Sequence, residues 1–71
     1  MTIGTVKMFN SDRGFGFVVP DSGGADLFVH IKDCAEDIEY LEKGQRVRFD
    51  ERPSQRHSGK FEAYAVALLP L

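Results

Sequence analysis

The segment "RGFGFVVP", residues 13–20, sets two phenylalanines two positions apart beside bare glycines. In an extended strand, side chains alternate between two faces, so Arg13, Phe15, Phe17 and Val19 share one face. Gly14, Gly16, Val18 and Pro20 share the other. Periodicity alone leaves the two rings balanced between core and surface. Arg13 heads the aromatic face, so that face is at least partly wet. Gly16 weakens a strand from within, and is better explained by a bend or a close strand approach at a barrel corner. Both residues point to an exposed aromatic pair with a basic edge.

Short β-rich runs flank this segment and alternate with turn signals, the pattern of a small barrel or sandwich. "IGTVKMFN" (3–10) precedes the polar "SDRG" (11–14), and "FGFVVP" (15–20) leads into the loop "DSGGAD" (21–26). "LFVHI" (27–31), "RVRFDER" (46–52) and "KFEAYAVALL" (60–69) complete five expected strands. Between them Cys34, Ile38 and Leu41 fall at i, i+4 and i+7, so one helical turn is expected within residues 32–41. Parity places Leu27, Val29 and Ile31 on one face of their strand and Phe28 with His30 on the other. Val47 and Phe49 oppose Arg46, Arg48 and Asp50 in the same way. With Val6, Leu41 and Val66 they form a small core, and Phe28 lies outside it. Phe61 and Tyr64 fall on opposite faces of the last strand, one packing and the other an edge ring.

A length of 71 residues fits one small domain, 1–71, near the lower limit of independent stability. With 42% hydrophobic and 28% charged residues, the composition is globular rather than disordered. No apolar run approaches the roughly 20 residues of a membrane span, and no charged-then-apolar leader opens the chain. A soluble, cytoplasmic protein is expected. Cys34 is the one cysteine, which excludes an internal disulfide and a cysteine-based metal cluster. It reads as a reduced, half-buried thiol.

The net charge is −2, but its distribution is uneven. Asp33, Glu36, Asp37, Glu39 and Glu42 form an acidic run, read as a solvated face that deters binding on that side. Arg46, Arg48, Arg52, Arg56 and Lys60 follow against Asp50 and Glu51. A basic segment on an acidic body attracts phosphate locally, with fewer contacts and a weaker salt dependence than a basic protein gives. Arg56 and Lys60 are candidates for such contacts, and His57 between them reads as a solvated loop residue.

A contiguous patch of exposed aromatics in so small a domain indicates a binding surface. Unpaired nucleobases stack on such rings, each stack contributing about 1–3 kcal/mol. A duplex hides those faces, so the platform should prefer single strands. "RGFGFV" fits the first six positions of the ribonucleoprotein consensus, but Pro20 breaks its last, and the chain has no room for the two helices of an RNA-recognition-motif domain.

Over nearly its whole length the chain resembles the bacterial cold-shock protein family. "GTVKMFNSDRGFGFVVPDSGGADLFVHI" (4–31) is similar to that family's ordered motifs G-x-V-K-W-F-N, K-G-F-G-F-I and D-V-F-V-H-F. "LEKGQRVRFD" (41–50) resembles its L-x-E-G-Q-x-V-x-F, and the similarity fades in "ERPSQRHSGKFE" (51–62). The resemblance implies an all-β fold, a small five-stranded antiparallel OB-type barrel that binds single-stranded RNA and DNA. Lys7, Asn10, Arg13, Phe15, Phe17, Phe28 and His30 match the binding positions. Phe9 matches as well, as a partly inward ring open to either a core or a stacking role. Met8 stands where the family usually has tryptophan, and Ile31 where it usually has phenylalanine. Ile38, with Tyr40 nearby, stands at a further aromatic position. Methionine offers a base a smaller, softer surface than an indole, so weaker binding of the same kind is expected.

The function implied is that of an RNA chaperone with family roles in transcription antitermination or translational control. The alternative is an OB-type adaptor that binds protein, with nucleic-acid binding weak or lost. His30 and His57 have no acid or nucleophile constellation around them, so no catalytic residue, metal or cofactor is expected. A monomer is expected, with a weak dimer as the alternative.

Overall fold

The computed structural model describes residues 1–70. The chain forms β1 (Thr2–Asn10), β2 (Phe15–Pro20), β3 (Leu27–His30), β4 (Arg46–Pro53) and β5 (Phe61–Leu68), closed into a barrel in the order β1-β2-β3-β5-β4. Four seams are antiparallel, and β3 pairs with β5 in parallel. A ring with an odd number of strands cannot alternate direction all the way round, so one parallel seam is a geometric necessity.

Turn chemistry sets the first hairpin. The Asn10 side-chain oxygen accepts hydrogen bonds from the backbone N–H of Asp12 and Arg13, at 3.1 and 3.2 Å. Gly14 follows at φ +74°, the left-handed region that favours glycine, and donates to the Asn10 carbonyl at 2.8 Å. The polar "SDRG" is thus a closed turn that delivers β2 against β1.

The register of that pair decides what lies inside. Val6 opposes Val18, but a bulge between Val6 and Met8 shifts the next pairs to Met8 with Phe17, Phe9 with Gly16 and Asn10 with Phe15. Strict alternation from Val6 would send Met8 inward and Phe9 outward. The extra residue reverses this, leaving Met8 exposed and Phe9 packed against the core. Gly16 permits the approach: a Cβ there would lie 2.8 Å from both the Phe9 Cα and its ring.

Val6, Val18, Val29, Val47, Phe49 and Val66 are fully buried, with Leu27 and Leu41 close behind. The expected core is therefore present, with Ile31 and Cys34 packed against its edge. The helical turn expected within 32–41 is not formed. A 3-10 turn spans Ile31–Asp33, and residues 34–45 run irregularly into β4. Ile38 and Leu41 are buried all the same. Their three-residue spacing marks two points where a loop dips to seal the barrel, with no helical hydrogen-bond ladder behind it.

Gly16→Ala tests the close approach. The added methyl meets backbone, which cannot rotate away, so the loss should be about 1–3 kcal/mol of unfolding free energy in a urea titration. An unchanged midpoint would mean that β1 does not lie this close to β2.

Candidate nucleic-acid interface

Three rings meet on the outer face of β2 and β3. Phe17 opposes Phe28 and Phe15 opposes His30 across the strand pair. Phe15 and Phe28 stack with centroids 5.7 Å apart and planes at 15°. Phe17 stands edge-on to both, at 6.4 Å from Phe15 and 5.9 Å from Phe28. Edge-to-face and offset contacts are the favourable geometries for aromatic quadrupoles, so the cluster holds its own shape. Each ring is half-buried, sealed by its neighbours and open to solvent elsewhere. Met8 and Asn10, opposite Phe17 and Phe15, extend this face onto β1.

The polar members are held from behind. His30 Nδ1 accepts the Lys32 backbone N–H at 3.2 Å, which leaves Nε2 as the donor of the neutral ring. The Asn10 oxygen is occupied in the turn, so Asn10 shapes the hairpin in addition to lining the face. Lys7 pairs with Asp26 at 2.8 Å on the exposed surface. Arg13 is exposed at the head of β2. Phe9 packs inward, away from the Phe15–Phe17–Phe28 cluster.

The β4–β5 loop comes down on the same face. The Arg56 guanidinium lies over Phe28, 5.2 Å from its centroid, and the His57 ring sits 5.9 Å from Phe28. The Ser54 hydroxyl oxygen accepts from the backbone N–H of Arg56 and His57, both at 3.1 Å. Glu62, fully buried at the start of β5, accepts from the Gln55 N–H at 3.3 Å and from Arg56 Nη1 at 3.4 Å. His57 is an exposed loop residue, as expected, and its ring also borders the platform. Phe61 is exposed beside it, in a cleft of about 620 Å³ that it shares with Met8, Phe17, Phe28, His57 and Lys60. Neither residue carries a local signal of this role. Both reach the platform only through barrel closure, which brings β5 beside β3.

The basic segment is not a free patch. Arg46 holds Asp21 in a two-pronged pair at 2.7 and 2.5 Å, and this bond keeps the Asp21 carboxyl below its usual range. Arg52 donates to Asp33 at 3.2 Å, and its Nε lies 3.7 Å from Glu62, too far for a hydrogen bond. Arg52 also covers the Tyr64 ring, which makes Tyr64 the packing ring and Phe61 the edge ring. Three of the five bases are therefore neutralised in place, and Arg48 and Lys60 form no ion pair among the described residues. Ile38 is buried, so it offers no surface at the position expected for a further ring, while Tyr40 is exposed.

Cys34 is half-buried and its Sγ donates to the His30 carbonyl at 3.7 Å. Burial, then the negative charge of Asp33, push its thiol up to about 11. Relative to the ordinary value of 9.0 this cuts the thiolate fraction at pH 8 about a hundredfold. A disulfide reagent should react with the native protein at pH 8 about a hundredfold more slowly than with the urea-unfolded chain. The corresponding stability is present below pH 9 and lost as pH rises towards 11. Equal reaction rates would show Cys34 to be exposed.

No group of three or more potential metal ligands occurs among the described residues, and no helix is long and apolar enough to cross a membrane. Residues 2–69 match the family model of the 'Cold-shock' DNA-binding domain. Among curated proteins, the chain is 54% identical over 48 residues to the cold shock-like protein CspA of Shewanella violacea, covering 66% of this chain and 69% of that one. It is 45% identical over 64 residues to the probable cold shock protein y4cH of Sinorhizobium fredii, covering 89% and 91%. It is 43% identical over 68 residues to the cold shock-like protein CspG of Shewanella violacea, covering 94% of each.

Proposed function

The chain belongs to the cold-shock domain family of nucleic-acid-binding proteins, which are not enzymes, and we propose that it works as an RNA chaperone. In this reading one domain, acting as a monomer in the cytoplasm, binds single-stranded RNA or DNA by stacking bases on Phe15, Phe17 and Phe28. It keeps transient hairpins open because binding energy is available only to the unpaired strand, which shifts the pairing equilibrium by mass action. Roles in antitermination or translational control follow from the same property. The observation that carries the reading is the three-ring cluster on β2 and β3, partly open and bordered by Arg56 and His30.

Lys7, Arg13, Arg56 and Lys60 border the strand's path and supply its phosphate contacts. Because Lys7 and Arg56 already have carboxylate partners, few counterions are released and the salt slope is shallow. Met8 lies opposite Phe17 and extends the platform with a thioether in place of a ring.

Fluorescence anisotropy with a labelled pyrimidine-rich oligonucleotide, single-stranded and duplex, tests the stacking mechanism. Phe15→Ala and Phe28→Ala should each cost about 1–3 kcal/mol of binding while the circular dichroism spectrum stays that of a folded barrel. Equal affinity for the duplex would overturn the mechanism, and loss of folding in either variant would return the rings to the core. Should a protein partner bind where single strands fail even at low salt, the adaptor reading replaces this one.

Met8→Trp should tighten binding of the same oligonucleotide by about tenfold, as a larger ring replaces the thioether on the platform. Unchanged affinity would place residue 8 outside the stacking path.

A further inference from the structure

The first two residues of β5 are turned opposite to what burial alone would select. Phe61 is 52% exposed, whereas Glu62, the next residue, is 1% exposed. A one-residue shift in the strand would exchange them, burying the ring and releasing the carboxylate to water. The observed arrangement leaves a large apolar ring wet and requires partners for a buried charge.

Those partners are present, and they organise the neighbouring loop. Glu62 receives the Gln55 N–H and the Arg56 guanidinium, with Arg52 Nε 3.7 Å away. The buried carboxylate thereby ties down the segment that carries Arg56 and His57 against Phe28. The outward turn of Phe61 makes it part of the lining of the cleft, together with Met8, Phe17, Phe28, His57 and Lys60. A lining that combines the rings of Phe17, Phe28, His57 and Phe61 with Lys60 and the Lys7–Asp26 pair suits a flat group attached to a phosphate.

We propose that Phe61 is a further base-stacking residue, taking one more nucleobase of a single strand in the cleft that it shares with Phe17 and Phe28. Glu62 is the positioning residue that keeps the loop half of this cleft in place. The inference rests on the nucleic-acid reading of the platform and extends its path across the β3–β5 seam. Phe61 supplies from β5 an aromatic surface that Met8 does not supply from β1.

The chain contains no tryptophan, so Phe61→Trp introduces a lone indole reporter. Its emission should be quenched on titration with a single-stranded thymidine oligonucleotide. In anisotropy, Phe61→Leu should weaken binding about 5- to 150-fold, the loss of one stack, while Phe61→Tyr stays within about twofold of the parent. Because the ring is exposed, the thermal midpoint of Phe61→Leu should stay that of the parent. If the parent protein binds the oligonucleotide while Phe61→Leu binds equally well and the indole of Phe61→Trp is silent, this inference falls and the platform stands. If the parent does not bind at all, the platform reading itself fails and takes this one with it.

Discussion

Gly16 has no side chain, and the backbone of β1 occupies the space that one would fill. This contact lets β1 bulge after Val6, drop Phe9 inward and hold Met8 out opposite Phe17. Once that register is set, the remaining pairs on the face follow from pleating: Asn10 beside Phe15, Phe15 beside His30, Phe17 beside Phe28. The aromatic cluster therefore depends on a missing methyl group on the opposite side of its own strand. Core and surface are coupled here through one close approach of two backbones.

Charge is used mainly for construction. Arg46 with Asp21 and Arg52 with Asp33 are cross-strand or strand-to-loop pairs, and Glu62 gathers the base of the β4–β5 loop. Exposed pairs of this type add little stability, since solvent screens them and two side chains must be ordered. Glu62 differs because it is buried, so removing its partners would leave an uncompensated charge inside the barrel. Arg46, Arg52 and Arg56 are thus already engaged by carboxylates, whereas Arg13 and Arg48 form no ion pair among the described residues. Arg56 is engaged while covering the ring of Phe28.

Local periodicity was enough to read the parity of β3 and of Val47 and Phe49 in β4, the outward position of Phe28 and His30, and most of the core, because β3 is regular and the irregularity of β4 falls between Arg48 and Asp50 without turning Phe49 out. The close approach at Gly16 was readable from residue type, because a glycine in mid-strand marks a bend or a close approach of another strand. Phe9 was not, since a bulge adds a residue without altering composition and inverts every inference drawn beyond it. The spacing of Cys34, Ile38 and Leu41 suggested a helical turn because inward-turned residues four and three apart look alike in a helix and in a loop crossing a barrel mouth. Phe61 and His57 were illegible for a different reason. Their nearness to Phe28 comes from pairing of β5 with β3, a contact about thirty residues distant in sequence that no local window contains. Neutralisation of the basic segment was hidden likewise, in partners supplied by other loops.

The parallel seam has a consequence for motion. Phe28 pairs with Glu62 across it, and Cys34 with Val66 continues it as an isolated bridge, so this joint has fewer paired residues than the antiparallel ones. It is the natural place for the barrel to part first. Phe17 and Phe28 lie on one bank, and Arg56, His57 and Phe61 on the other. A strand bound as proposed would span the gap like a suture, and its dissociation and the breathing of the barrel would become linked events. For a domain this small, occupancy by nucleic acid would then govern how long the barrel stays shut.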